Sequence, residues 1–126
     1  KGHQPMEGRS KSGEHGWIVY NGETYNFREL QKQLEQQWNF ESSSDTEVLL
    51  AGLLIEGPDF LKRVNGMLAL AFFDTNRNRM TLARDKLGKK PLYIYQDNDT
   101  FAFSSELKPF RDLKLPLTIN DTAMSY

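Results

Sequence analysis

Seven successive apolar residues, Met67–Phe73 (MLALAFF), constrain this chain more than any other stretch. A strand that alternates polar and apolar residues needs cover on one face, whereas a continuous apolar run must be covered on both. The run Val48, Leu49, Leu50, Ala51, Leu53, Leu54 and Ile55 makes a similar demand. It lies in Thr46–Glu56, which reads as a helix with little polar face, buried on most sides. A chain of 126 residues has room for one domain that meets both demands. The rest of the pattern supplies the layers. Trp17–Tyr20 is a short β-prone run. Asn26 opens a helix with Glu29 three residues on, as in a capping box, and with Phe27, Leu30, Leu34 and Trp38 at helical spacing. Ser44-x-x-Glu47 is a second capping box, Gly57-Pro58 a stop, and Asp59–Arg63 a further helical turn. After the apolar run come strands over Met80–Asp85, Pro91–Gln96 and Thr100–Ser104, with a hairpin turn at Asp97-Asn98-Asp99. Ser105–Asp112 reads as a short helix with Leu107 and Phe110 inward. Segregated helices and mainly antiparallel strands indicate an α+β fold with helices outside sheets. Residues 1–15, rich in Gly, Ser and charge, read as a polar leader loop. Residues 16–112 form the core, and residues 113–126 an outgoing linker in which Asn120 or Asp121 could cap another helix.

Composition removes several functions. Sixteen Lys and Arg against seventeen Asp and Glu give a net charge of −1, a poor basis for gripping nucleic acid or an anionic membrane. No apolar stretch approaches the roughly eighteen residues of a membrane span. The chain contains no cysteine, which excludes disulfides, thiolate metal sites and a cysteine nucleophile within it. Its two histidines, His3 and His15, lie in the polar leader without metal-ligand spacing and read as solvated. Gly88-Lys89-Lys90 lacks the upstream glycine and the following Ser or Thr of a phosphate loop, so it reads as a β-turn. Arg84, Lys86, Lys89 and Lys90 surround Asp85 and read as a solvated turn.

Two polar spots have chemical potential. Asn-Gly favours positive φ, so Asn21-Gly22 marks a sharp turn after the first strand. A side-chain amide beside a glycine N–H is what an oxyanion hole needs; taken alone, a hairpin-like turn is the alternative. Asp45 sits in Ser42-Ser43-Ser44-Asp45-Thr46-Glu47 at the mouth of the buried helix. A helix N-terminus keeps such a carboxylate ionised, able to hold a substrate ammonium; the alternative is a charge that only supports its helix.

Together these spots resemble a known pattern. Asn21 through Leu30 (NGETYNFREL) is similar to the NGE-x-YNFREL motif of glutamine-hydrolysing asparagine synthetases. Ser44–Leu50 resembles their SDTEVLL helix start, and Asn65-Gly66-Met67 through Asp74 their NGMFAFA-x-xD strand. Leu82–Tyr93 resembles LARD-x-LG-x-KPLYY, and Phe103–Lys108 FASELK. His3-Gln4-Pro5-Met6 fits a GHQPM-like loop, so the leader reads as native.

The resemblance implies a class II glutamine amidotransferase domain with the αββα four-layer sandwich of the N-terminal-nucleophile hydrolases. Asn21 and Gly22 would form the oxyanion hole, while Glu23 and Asp45 would bind the α-ammonium of glutamine. The nucleophile in such domains is an N-terminal cysteine whose α-amino group serves as base. It precedes the position of His3, as do an RHRGPD-type loop and a carboxylate-binding arginine. The expectation is therefore a domain without its first strands, with exposed sheet edges and no activity by itself. No cofactor or metal is expected in it. A C-terminal synthetase domain of the same polypeptide would use ATP and magnesium to activate an acceptor, by default aspartate. Cytoplasmic location follows, with a homodimer allowed and no nucleic-acid or membrane partner. A degenerate, non-catalytic glutamine-binding or regulatory domain is the alternative. Two departures from the motifs are Thr24 and Lys89, each in place of isoleucine.

Overall fold

The structure, a computed structural model, describes residues 3–118. It divides into two compact units, residues 1–91 and 92–126.

The first unit is an antiparallel four-stranded sheet with helices on one face. Strands β1 (Met6–Arg9), β2 (His15–Thr24), β3 (Gly66–Asp74) and β4 (Arg79–Arg84) lie in that order across the sheet. Helices α1 (Phe27–Leu34) and α2 (Asp45–Glu56) and a 3-10 turn (Pro58–Arg63) connect β2 to β3. Every residue of α2 from Thr46 to Leu54 is buried, as its apolar sequence requires. Its leucines meet Ile18 and Tyr20 of β2, Leu68, Leu70 and Phe72 of β3, and Leu30, Leu34 and Trp38 from the α1 segment in one core.

The apolar run does become a buried strand: Leu68 through Phe72 are all buried. The two faces are buried by different means. Leu68, Leu70 and Phe72 face the helices. Ala69 and Ala71 lie on the other face, sunk between longer cross-strand neighbours, Asn21 and Arg84 for one, Val19 and Leu82 for the other. That face also carries Trp17, Val19 and Met80, which are exposed within this unit.

Several sequence expectations are corrected. The leader is not all loop, since Met6–Arg9 is a strand paired with β2 from Met6↔Ile18 to Arg9↔His15. Its alternation is hidden because one inward position is Gly8, where a Cβ would stand 2.7 Å from the Trp38 ring and 2.8 Å from Leu50. His15 is not solvated: its ring contacts Glu7 at 2.6 Å and Thr75 at 2.9 Å. Asn21-Gly22 is not a turn, because β2 runs extended through both and pairs with β3 as far as Thr24↔Gly66. Nine cross-strand pairs override the local Asn-Gly preference. Asn26 precedes α1 but does not cap it. Its amide joins the Arg63 carbonyl at 2.8 Å and the Asn65 N–H at 2.9 Å, fastening the exit of β2 to the entrance of β3. Trp38 is buried as expected, although α1 ends at Leu34. Ser44 does cap α2 by accepting from Thr46 N–H, but Glu47 turns instead to the preceding loop.

The basic stretch after β4 is a self-supporting turn, as expected. The Asp85 carboxylate accepts the N–H groups of Leu68, Lys89 and Lys90, and the Arg84 guanidinium donates to the Gly88 and Lys90 carbonyls.

The second unit contains a hairpin of β5 (Tyr93–Gln96) and β6 (Phe101–Ser104) followed by helix α3 (Lys108–Asp112). The expected turn is there: Asp97 accepts from the N–H groups of Asp99 and Thr100. Phe110 is buried, but Leu107 is half exposed because α3 starts one residue after it. The expected cap at Asn120 or Asp121 lies outside the described residues.

Candidate active site

The site grows from the C-terminal half of β2. Side chains of a strand alternate between its faces, and here Tyr20 and Thr24 are buried against the helices while Asn21 and Glu23 are exposed on the other face. Backbone groups alternate as well, in the plane of the sheet: a residue's N–H and C=O point to one neighbouring strand and those of the next residue to the other. The even-numbered residues point toward β1, whose Cα pairing with β2 stops at Ile18.

Three N–H groups therefore leave that edge beyond β1. Tyr20 N–H is taken by the Gln4 side chain at 2.7 Å. Thr24 N–H is taken by Asp45 Oδ2 at 3.0 Å. Gly22 N–H lies between them. Its cross-strand partner Leu68 does not engage it, because Leu68 N–H and C=O both bond to Asp85 on the far side of β3. Gly22 N–H finds no partner among the described residues. Glycine is required there by close approach, since a Cβ would stand 2.1 Å from the Met67 carbonyl oxygen.

Asp45, the first residue of α2, reaches this edge from the helix side. Its Oδ2 also accepts from the Tyr20 hydroxyl at 3.3 Å, and that hydroxyl lies 3.0 Å from Thr24 Oγ1. Burial pushes the Tyr20 phenol well above its ordinary pKa; the Thr24 contact works against this, and the charges of Asp45 and Glu23 work with it. Both carboxylates thus act on one phenol.

The four residues singled out from sequence are therefore brought to one strand end from three directions. Asn21 and Glu23 project from one face, Gly22 offers its N–H at the edge, and Asp45 comes to the edge from the opposite face. None of the four lines either of two open cavities of about 660 and 590 Å³ in this unit. Sequence reasoning missed Gln4, Tyr20 and Thr24. Gln4 carried a signal, since it lies in a motif, and Thr24 carried another as a departure from one. Tyr20 had none beyond its place in the strand. Among the described residues, no cluster of His, Cys, Asp or Glu could hold a metal ion. No helix among them is long and apolar enough to cross a membrane.

This antiparallel sheet backed by helices has counterparts among solved structures. The chain aligns with a glutamine phosphoribosylpyrophosphate amidotransferase from Bacillus subtilis at TM-score 0.71 and 30% identity, over 86% of this chain and 25% of that one. A structure described as the allosteric regulatory enzyme of purine biosynthesis aligns at TM-score 0.73 and 29% identity, over 88% of this chain and 25% of that one. The fold is that of the N-terminal-nucleophile amidotransferases, the α+β class expected from sequence. Residues 1–126 match the model of the glutamine amidotransferase domain, and the chain belongs to that family. Its relatives include asparagine synthetase [glutamine-hydrolyzing] 3 of Bacillus subtilis, 42% identical over 85% of this chain and 17% of that protein. Asparagine synthetase B [glutamine-hydrolyzing] of Escherichia coli is 34% identical over 85% of this chain and 19% of that protein. The chain thus spans under a fifth of the length of these curated relatives.

Proposed function

We propose that this domain hydrolyses the side-chain amide of glutamine to give glutamate and ammonia, and that a synthetase portion of a longer polypeptide consumes the ammonia. The observation that carries the reading is the Gly22 N–H, held at the strand edge between two N–H groups that already have acceptors. When a nucleophile adds to a carboxamide carbon, the carbonyl oxygen becomes negative. Donors fixed in advance at that oxygen stabilise the transition state without reorganising. We assign that role to Gly22 N–H and to the amide of Asn21, which projects from the sheet face next to it. Glu23 and Asp45 supply two carboxylates near the same strand end for the α-ammonium of the substrate, which sets glutamine apart from a simple amide.

The chain contains no cysteine, so a thiol nucleophile comes from outside residues 1–126. Attack forms a tetrahedral adduct, which collapses to a thioester with release of ammonia; water then releases glutamate and regenerates the thiol. ATP and magnesium serve the synthetase portion, with aspartate as the default acceptor and the cytoplasm as the location. The test is glutamate release from glutamine by the full-length protein. Ammonia and glutamate formed in equal amounts support the reading. Glutamine binding without ammonia release would make this a glutamine-sensing domain, and absence of binding would refute both.

A further inference from the structure

From the geometry we infer that Tyr20 and Thr24 are positioning residues for glutamine recognition, holding the Asp45 carboxylate through a directed chain of two buried hydroxyls. The inference rests on the reading of Asp45 as an ammonium ligand. Tyr20 is 6% and Thr24 2% exposed, so neither touches solvent freely. Asp45 Oδ2 only accepts when ionised, and Tyr20 has one proton to give. The Tyr20 hydroxyl therefore donates to Asp45, and Thr24 Oγ1 donates in turn to the Tyr20 oxygen. The backbone N–H of the same Thr24 donates to the same Asp45 oxygen. Asp45 Oδ2 is thus fixed by two donors, and the chain closes through one residue. The whole arrangement is anchored to β2, the strand that also presents Gly22. Asp45, although carried by α2, is thereby tied through its carboxylate to the strand that presents the oxyanion donor.

Each hydroxyl donates to a charged group or to a group that does, and removal of such a bond commonly weakens binding about tenfold. The experiment measures glutamine KM and kcat in the full-length protein for Tyr20→Phe, Thr24→Val, Thr24→Ser and Asp45→Asn. We expect KM to rise about tenfold in Tyr20→Phe and several-fold in Thr24→Val, with kcat within about twofold of the parent. Thr24→Ser, which keeps the hydroxyl, should restore the parental KM. Adding Tyr20→Phe to Asp45→Asn should raise KM no further. A merely structural role would lower the melting temperature and the amount of active enzyme, and would leave KM alone. If Asp45→Asn raises KM while Tyr20→Phe and Thr24→Val do not, the hydroxyl chain is refuted and the ammonium site stands. If Asp45→Asn leaves KM unchanged, the ammonium site is refuted and the inference falls with it.

Discussion

Replacing Glu47 by alanine should remove much of the stability of the first unit. Glu47 is 6% exposed, in the first turn of α2, and its carboxylate gathers four donors. Oε1 accepts from the Trp38 indole at 3.1 Å and Glu41 N–H at 2.9 Å. Oε2 accepts from Ser42 N–H at 2.8 Å and the Ser42 hydroxyl at 2.6 Å. The Trp38 side chain is buried, so alanine strands its N–H at about 1–3 kcal/mol. The two loop N–H groups are partly buried and can recruit water, at about 0.5–1.5 kcal/mol each. The expected loss is about 4 kcal/mol, close to half of what a typical domain possesses. Urea unfolding followed by tryptophan fluorescence reads it as a lower midpoint with an unchanged slope. Stability also depends on pH through this group. Burial alone would raise the carboxyl pKa, but the Ser42 hydroxyl, Glu41 N–H, Trp38 indole and Ser42 N–H hold it below the ordinary value. A group with a depressed folded pKa contributes fully above its unfolded pKa and loses that contribution as pH falls through the folded value. The parent should therefore weaken below about pH 4.5, and Glu47→Gln should show a shallower loss. A cost under about 1 kcal/mol for Glu47→Ala would refute the view that this carboxylate organises the loop.

Three further outcomes are expected. Asp74 is 1% exposed; burial would raise its pKa, but its bonds to Arg77 hold it low. Asp74→Asn should cost about 2 kcal/mol at neutral pH, and the deficit should shrink as pH falls below about 4, measured by urea midpoints across that range. Gly8→Ala should cost about 1–3 kcal/mol through overpacking against Trp38 and Leu50, with faster amide exchange in β1 as the local readout. Gln4→Ala should release Tyr20 N–H and speed its exchange, leaving the exchange of β3 amides unchanged.

Much of this fold was legible because its strongest elements have unambiguous patterns. The run at 67–73 read as a strand needing cover on both faces and became one, buried from Leu68 to Phe72, and Thr46–Glu56 read as a mostly buried helix and became one. What escaped depended on partners distant in sequence. β1 was invisible because Gly8 contributes no hydrophobic side chain and becomes an inward position only when Trp38 fills the space above it. Asn21-Gly22 read as a turn because a dipeptide preference is local, whereas the strand there is fixed by β3 some forty-five residues on. The site was half legible for the same reason. Motifs identified Asn21, Gly22, Glu23 and Asp45, but the edge that brings Gly22 N–H into the open is set by where β1 ends and by the hold of Asp85 on Leu68. Thr24 stood out as a departure at one position, and its contacts with Tyr20 and Asp45 through hydroxyl and N–H could be seen only in the folded chain.

The central claim is that Gly22 N–H and the Asn21 amide stabilise a negative oxygen that exists only in the transition state. Steady-state glutaminase kinetics of Asn21→Ala in the full-length protein test it most directly. The account predicts that kcat falls about 10²–10³-fold with glutamine KM nearly unchanged. A rise in KM with kcat preserved would contradict it, because Asn21 would then be gripping the ground-state substrate and the free strand edge would have no part in the chemistry.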